Sequence, residues 1–243
     1  MAIAATQTDD FKSAASWRAA LAEFFVVLLF CFFGPAAVVV TGAMTGGAMT
    51  PDRLVAIALA HGLSIFLLAT ASGPVSGGHV NSAVTISMLV AGQMSAKKAA
   101  MYIVAQLIGA AVGSFLLLLV VPGGASTGLG AHALGPGMTL GAGMLAEIIG
   151  TFLLVGVIFM TAVHPRGMGT VATLAIGSAV LVIHLAFVPL TGASVNPSRS
   201  FGPWLWTQNI DVASFLLLYW VAPIIGGVIA AVVAKYVFIN PEQ

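Results

Sequence analysis

The sequence predicts an all-α membrane protein with six transmembrane helices, two shorter re-entrant half-helices and an inverted internal repeat. Three observations predict this fold class: a composition poor in charge, six long apolar runs, and two halves that resemble each other. Of 243 residues, 60% are hydrophobic and only 6% are charged, whereas soluble domains carry about 25% charged residues. So few charges cannot cover a water-facing surface, and a soluble globular protein is excluded.

The composition also excludes several classes of site. The net charge is +1 and no basic run occurs, so no nucleic-acid partner is expected. Cys31 is the single cysteine, which excludes an intrachain disulfide framework and a cysteine-rich metal site. No cofactor, metal ion or enzymatic activity is predicted.

Six apolar runs are long enough to cross a hydrocarbon core of about 30 Å, which takes about 20 helical residues. They cover approximately 18–40, 53–72, 97–121, 140–163, 169–190 and 212–239. Helices are expected because lipid offers no partner to unpaired backbone groups, and the alternating pattern of a barrel strand is missing.

The cations predict the orientation in the bilayer. With six spans, one side receives most of the lysines and arginines, namely Lys12, Arg18, Lys97, Lys98, Arg166 and Lys235. The opposite side has only Arg53 at a loop end. The positive-inside rule then predicts a multi-pass protein of the plasma or inner membrane with both termini in the cytoplasm.

The two halves repeat at corresponding positions. Glu23 and Glu147 open the first and fourth spans, 124 residues apart, and Asn81 and Asn196 lie 115 residues apart. The halves, within a single channel domain over 1–243, run over about 18–121 and 140–239. Because each half has three spans, the second half must be inverted in the membrane, and inverted repeats place their site near the midplane.

Two segments are too short to span and read as broken helices. Irregular backbone is expected over 72–81 and again over 191–196, each followed by an Asn cap and a half-length helix that ends near Val90 or Trp206. Irregular backbone at membrane depth is tolerated only where it is buried in protein or lines a cavity. Two such segments entering from opposite sides predict a pore.

At these segments the sequence resembles the aquaporin (major intrinsic protein) family. The resemblance covers about 22–237 and is strongest over SGGHVNSAVT at 76–85 and NPSRSFGP at 196–203. The family pattern Asn-Pro-Ala reads Asn-Ser-Ala at 81–83 and Asn-Pro-Ser at 196–198. The resemblance implies an aquaporin-like fold and a homotetramer with one pore in each subunit.

The resemblance also implies roles for particular residues. Asn81 and Asn196 would donate to passing water at the N-termini of the half-helices, whose partial positive charge opposes cations. Backbone carbonyls would form an acceptor ladder on either side, at Gly77, Gly78, His79, Gly192, Ala193 and Ser194. A selectivity filter follows by offset from the asparagines: His61, His184, Ala193 and Arg199.

This filter is half typical of water channels and half unusual, since water-selective members have Phe where this chain has His61. Some plant vacuolar members carry His there and resemble channels that also pass ammonia. Taken alone, His61 would more often be a packing histidine. His132 and His164 are expected to be solvated loop residues, and His79 either structural or a pH sensor.

The predicted function is a passive channel that conducts water and excludes protons and ions. The alternative within the family is a channel for a small neutral solute: ammonia, glycerol, hydrogen peroxide or a metalloid acid. A coupled transporter also uses inverted repeats, but it needs midplane acids, and this chain has only Glu23 and Glu147. Those two are expected to brace the re-entrant loops, the alternative being a proton relay.

Overall fold

The structure is a computed structural model that describes residues 10–239, with the side chain of Thr170 left out, and its regular elements there are all helical. In chain order the longer helices are α1 (Ala14–Met44), α2 (Pro51–Ser76), α3 (Ser82–Val90), α4 (Ala96–Val120), α5 (Leu140–Val163), α6 (Ala172–Thr191), α7 (Pro197–Thr207) and α8 (Val212–Phe238). Short 3-10 helices lie at Asp10–Lys12, Gly124–Gly130 and Gly169–Val171. Six of them are long and apolar enough to cross a membrane, and α3 and α7 are half-length. The predicted fold class of a six-span, all-α membrane protein is confirmed.

Polar caps set the first residue of several helices, and the cap before α1 explains why that helix begins ahead of its apolar run. Ser13 precedes α1, and its Oγ accepts from the Ser16 N–H at 3.3 Å, so the helix begins before the apolar run at 18. Ser95 and Thr139 cap α4 and α5 in the same way. Hydropathy marks the part of a helix that crosses lipid, whereas the cap sets its first residue.

The expectation of irregular backbone from position 72 is wrong, because α2 continues through Pro74 to Ser76. The helix ends at Gly77, whose φ of 91° lies in the left-handed region, and α6 ends likewise at Gly192 with φ of 83°. Glycine adopts this conformation at no steric cost and is the usual residue after a helix end. The break therefore lies at the glycine and not at the proline.

The helices pack in a pattern that repeats between the halves. Helix α1 packs against α2 and α4, and α5 packs against α6 and α8 in the same relation. Each half-helix docks on the other half's third span, α7 on α4 and α3 on α8. The repeat is thus present in the packing as well as in the sequence.

Glycines permit the closest helix approaches. A Cβ on Gly109 would lie 2.3 Å from the Phe24 carbonyl oxygen, and a Cβ on Gly226 would lie 2.1 Å from that of Ile148. These two contacts are related by the repeat, since Glu23 and Glu147 directly precede Phe24 and Ile148. Small residues let backbones meet closely in membrane helix pairs, where apolar burial supplies little driving force.

Candidate functional site

The candidate site lies where the two re-entrant loops, 77–81 and 192–196, meet between the half-helices. Val80 and Val195 have φ of 55° and 44°, and Ala193 has φ of 59°. A β-branched residue with positive φ is an outlier that persists only where its surroundings impose it. The loops therefore need strong local support.

Glu23 supplies that support to the first loop. Its Oε1 accepts from the Ser76 hydroxyl at 2.7 Å and the His79 N–H at 2.9 Å, and its Oε2 accepts from the Val80 N–H at 2.8 Å. The side chain is fully buried. Tyr102 adds a bond from its hydroxyl to the Ser76 carbonyl at 2.7 Å.

Glu147 makes the same bonds to the second loop, position by position. Its Oε1 accepts from the Thr191 hydroxyl at 2.6 Å and the Ser194 N–H at 2.9 Å, and its Oε2 accepts from the Val195 N–H at 2.7 Å. The Tyr219 hydroxyl donates to the Thr191 carbonyl at 2.9 Å. Each acid thus holds the strained valine of its own half.

The two asparagines cap the half-helices and reach across to the opposite loop. The Oδ1 of Asn81 accepts from the Ala83 N–H at 2.8 Å, and that of Asn196 accepts from the Arg199 N–H at 3.2 Å. Asn81 Nδ2 donates to the Val195 carbonyl at 2.7 Å, and Asn196 Nδ2 donates to the Val80 carbonyl at 2.9 Å. Each amide group carries two N–H donors, so one on each asparagine remains for a molecule beside it.

Beside the asparagines lies a cavity of about 70 Å³. Both asparagines line it, together with four of the residues predicted from the sequence to line a pore, Gly77, Gly78, His79 and Ser194. Much of the remaining wall is apolar: Phe30, Ile65, Val84, Met88, Leu154, Ile158, Ile176 and Val180. Gly192 and Ala193 do not line this cavity.

His184 also lines the cavity, and it lies next to two other predicted filter residues, His61 and Arg199. The Arg199 guanidinium is buried and donates from Nη1 to the Gly130 carbonyl at 2.8 Å, and its Nη2 lies 3.1 Å from His61 Nε2. His61 Nδ1 lies 2.9 Å from the Ile57 carbonyl, which only accepts. Nδ1 therefore carries the proton, and Nε2 accepts from Arg199.

His184 has the same tautomer for the same reason, since its Nδ1 lies 2.8 Å from the Val180 carbonyl. Its Nε2 is then an acceptor on a residue that lines the cavity. The two imidazole rings are stacked with centroids 4.3 Å apart. Ala193, the fourth predicted filter residue, is fully buried and donates its N–H to the Thr191 hydroxyl at 3.1 Å.

The sequence reasoning missed His132, which is buried and not solvated as expected. Its Nδ1 lies 2.8 Å from Ser200 Oγ, which in turn lies 2.5 Å from Ser194 Oγ in the second re-entrant loop. Burial, and next the nearby Arg199 charge, hold the pKa of His132 well below its usual range. No local sequence signal marks it, because its burial depends on a tertiary contact. The loop that carries His132 packs on the end of α6, where the Gly135 N–H donates to the Leu190 carbonyl.

Two further polar residues, His164 and Gln106, make hydrogen bonds that the sequence did not predict. His164 is half-buried, and its Nδ1 accepts from the Arg166 N–H at 3.0 Å, so it is not simply solvated. Gln106 is fully buried in α4 and donates to Glu23 Oε2 at 2.8 Å. A glutamine within an apolar span is the one signal that was available for it.

The sequence profile described as major intrinsic protein matches residues 10–234, nearly the whole chain. The chain belongs to the major intrinsic protein family. It is 40% identical over 237 residues to Aquaporin TIP2-3 of Zea mays, covering 96% of this chain and 93% of that protein. It is also 40% identical over 229 residues to the lens fiber major intrinsic protein of Oryctolagus cuniculus, covering 93% of this chain and 83% of that protein.

Among solved structures, the X-ray structure of the aquaglyceroporin from Plasmodium falciparum matches with a TM-score of 0.79. The two chains are 24% identical, and the match covers 91% of this chain and 96% of the other. At this identity the likeness shows the fold alone. The major intrinsic protein family consists of membrane channels, and this chain is a multi-pass membrane protein of that family.

Proposed function

We propose that this major intrinsic protein is a passive channel that conducts water and excludes protons and ions. The observation that carries the proposal is the pair of asparagine amides, each with one N–H bound across the junction and one left for the cavity. A water oxygen beside them accepts from an amide and then has its own protons directed away, toward the loop carbonyls. Such a water cannot relay a proton along a continuous chain.

The half-helix ends add to this exclusion. Both α3 and α7 begin at the asparagines, so both positive helix ends face the midplane. A cation there meets this field and an apolar wall that cannot replace its hydration shell. We assign the acceptor ladder to the backbone of Gly77, Gly78, His79 and Ser194, which line the cavity, and to that of Gly192, which lies outside this cavity.

We assign the selectivity filter to His61, His184, Ala193 and Arg199. The Arg199 charge repels cations at this layer, while His184 Nε2 accepts from a passing donor. Glu23 and Glu147 take the role of loop braces, because all of their carboxylate oxygens receive loop donors.

Osmotic shrinkage of proteoliposomes tests the proposal. We expect faster shrinkage than in empty vesicles, with a low activation energy. Ala162 lines the cavity, so Ala162→Trp is expected to slow water flux, whereas Ala213→Trp on an exposed surface is the matched control. Shrinkage no faster than in empty vesicles contradicts a water channel.

A small-solute channel, above all for ammonia, is the second candidate. The observation that favours it is the polarity of the filter. His61 accepts a hydrogen bond from Arg199, which a Phe at this position could not do, and His184 Nε2 is left as an acceptor for a solute. Ammonia offers three N–H donors to His184 Nε2. Parallel assays with ammonia and glycerol gradients separate the two candidates. Water flux without ammonia or glycerol flux rejects the small-solute channel.

We further propose a single channel domain built from the two inverted halves, a homotetramer with one pore in each subunit, and cytoplasmic termini in a plasma or inner membrane. Native mass spectrometry of the detergent-solubilised protein is expected to give four chains per particle, and a monomer contradicts the assembly.

A further inference from the structure

The two half-helices are joined by a hydrogen bond between two serine hydroxyls. Ser82 is the first residue of α3 and Ser198 the second residue of α7, and their Oγ atoms are bonded to each other. Both side chains are fully buried. The repeat-related positions hold Pro197 and Ala83, so the junction is polar on one side and apolar on the other.

The direction of the bonds follows from the partners. Ser82 donates to the Oε1 of Gln106 at 2.9 Å, and an amide oxygen only accepts. Ser82 has a single hydroxyl proton, so Ser198 is the donor in the serine pair. Gln106 Nε2 then donates to Glu23 at 2.8 Å, and one directed series runs from α7 to a carboxylate on α1.

Bonds that point the same way polarise one another, and in a water-free interior each is stronger than in water. The other side of the junction has no counterpart, since Pro223 stands 117 residues after Gln106, in the corresponding place in α8. The serine side is therefore the one that holds α3 and α7 together by directional bonds.

We infer that Ser82 and Ser198 are a positioning pair that holds the pore asparagines in register and so keeps the channel tight to protons. Asn81 directly precedes Ser82, and Asn196 lies two residues before Ser198. Each asparagine donates to the opposite loop, so a shift of α7 against α3 changes the direction of the N–H that remains for the cavity. The inference rests on the proposed water channel.

The test compares proton flux with water flux in the same proteoliposomes, using a pH-sensitive dye inside the vesicles and light scattering. Ser198→Ala removes the donor, and Ser82→Ala leaves the buried Ser198 hydroxyl without its acceptor. Each variant is expected to raise the ratio of proton to water flux about fivefold to tenfold, the factor for losing one net hydrogen bond. The ratio does not depend on how much protein has folded.

Two further variants separate positioning from loss of a buried hydroxyl. Ser87 is buried in the same half-helix and donates only to its own helix, at the Ala83 carbonyl, so Ser87→Ala is expected to keep the wild-type ratio. Ser82→Pro combined with Ser198→Ala copies the chain's own Pro197 and Ala83 pair. Asn81 is already extended, as a residue before proline requires, so the ratio is expected to return to within about twofold of wild type.

An unchanged ratio in both single alanine variants overturns the inference, as does an equal rise in Ser87→Ala. If the wild-type protein does not conduct water, the proposed function fails, and a double-mutant cycle on thermal stability in detergent decides the inference. Non-additive losses for Ser82→Ala and Ser198→Ala support the serine link, and additive losses reject it.

Discussion

Arg199 is a buried charge whose position is set by two acceptors of different kinds. The Gly130 carbonyl belongs to the loop between α4 and α5, and His61 belongs to α2. The Nε2 lone pair of His61 accepts from the guanidinium, whereas that of His184, which lines the cavity, remains available. The chemistry of this layer therefore depends on which histidine nitrogen carries the proton.

Replacing His61 tests how that layer selects. We expect His61→Phe to reduce ammonia flux severalfold while water flux changes less than twofold. The reason is that Phe has no acceptor for Arg199 and that its ring is larger than imidazole. Ammonia and water permeabilities of proteoliposomes measure the effect, and His164→Phe, far from the filter, is the matched control. Equal ammonia flux in the two variants contradicts the role of His61.

The buried His132 is expected to make the stability of the protein depend on pH. Its pKa is held well below the usual range by burial and by Arg199, with His61 and His184 adding to the effect, so the folded protein keeps it neutral. The unfolded chain binds the proton below a pKa of about 6.5, so stability is lost as pH falls below that value.

We therefore expect the melting temperature in detergent to fall between pH 7.5 and pH 5.5, and to fall less in His132→Gln than in wild type. Thermal scans across this range measure both slopes. The same slope in the variant means that His132 does not contribute.

At the scale of elements, each re-entrant loop is a strained segment fastened by one carboxylate. In Glu147→Gln an amide N–H₂ group replaces one acceptor oxygen, which leaves at least one loop donor unpaired. We expect a loss of about 1–3 kcal/mol, read as a lower melting temperature, and the same for Glu23→Gln. Asp52→Asn makes the same chemical change on an exposed helix turn and is expected to have little effect; equal losses at all three positions contradict the bracing role.

The approach of α5 and α8 depends on Gly226. Its Cβ would lie 2.1 Å from the Ile148 carbonyl oxygen, so Gly226→Ala forces the two backbones apart and is expected to cost about 1–3 kcal/mol. Gly156→Ala in α5 meets no atom within 4 Å and is expected to be neutral or stabilising. Thermal unfolding of the two variants in detergent is the comparison, and a stable Gly226→Ala protein refutes the close contact.

At the scale of the whole molecule, the cations are strongly asymmetric. Within residues 10–239, Arg53 is the one cation at the loop ends on the face away from the termini, while six lie on the face that carries them. This distribution predicts cytoplasmic termini by the positive-inside rule.

Cysteine labelling in intact cells tests this orientation. The native Cys31 is fully buried, so labelling by a membrane-impermeant maleimide starts from a low background. Met44 and Met168 lie on opposite faces and are 80% and 54% exposed. We expect Met44→Cys to be labelled from outside and Met168→Cys to be labelled only after permeabilisation; the reverse result inverts the topology.

Much of the fold could be predicted because its signals are local. Apolar runs, Asn caps and the spacing of Glu23 and Glu147 depend on neighbouring residues or on a repeat within the chain. His132 could not be predicted, because its burial depends on how a long loop docks on the end of α6. The extent of α2 through Pro74 was missed for a related reason, since the helix end depends on the backbone angles at Gly77.

The sequence alone determined that this is a membrane protein, that it has six spans and that it folds as two inverted halves. The first two properties follow from composition and from the length of the apolar runs, which act through solvation and add up along the chain. The third follows from the repeated residues and from the odd number of spans in each half. Only the tertiary structure decided which donor meets which acceptor: Arg199 with His61, each glutamate with its loop, and Ser198 with Ser82. Those pairings join residues far apart in sequence, and the directional geometry of hydrogen bonds, unlike hydropathy, exists only once the helices have packed.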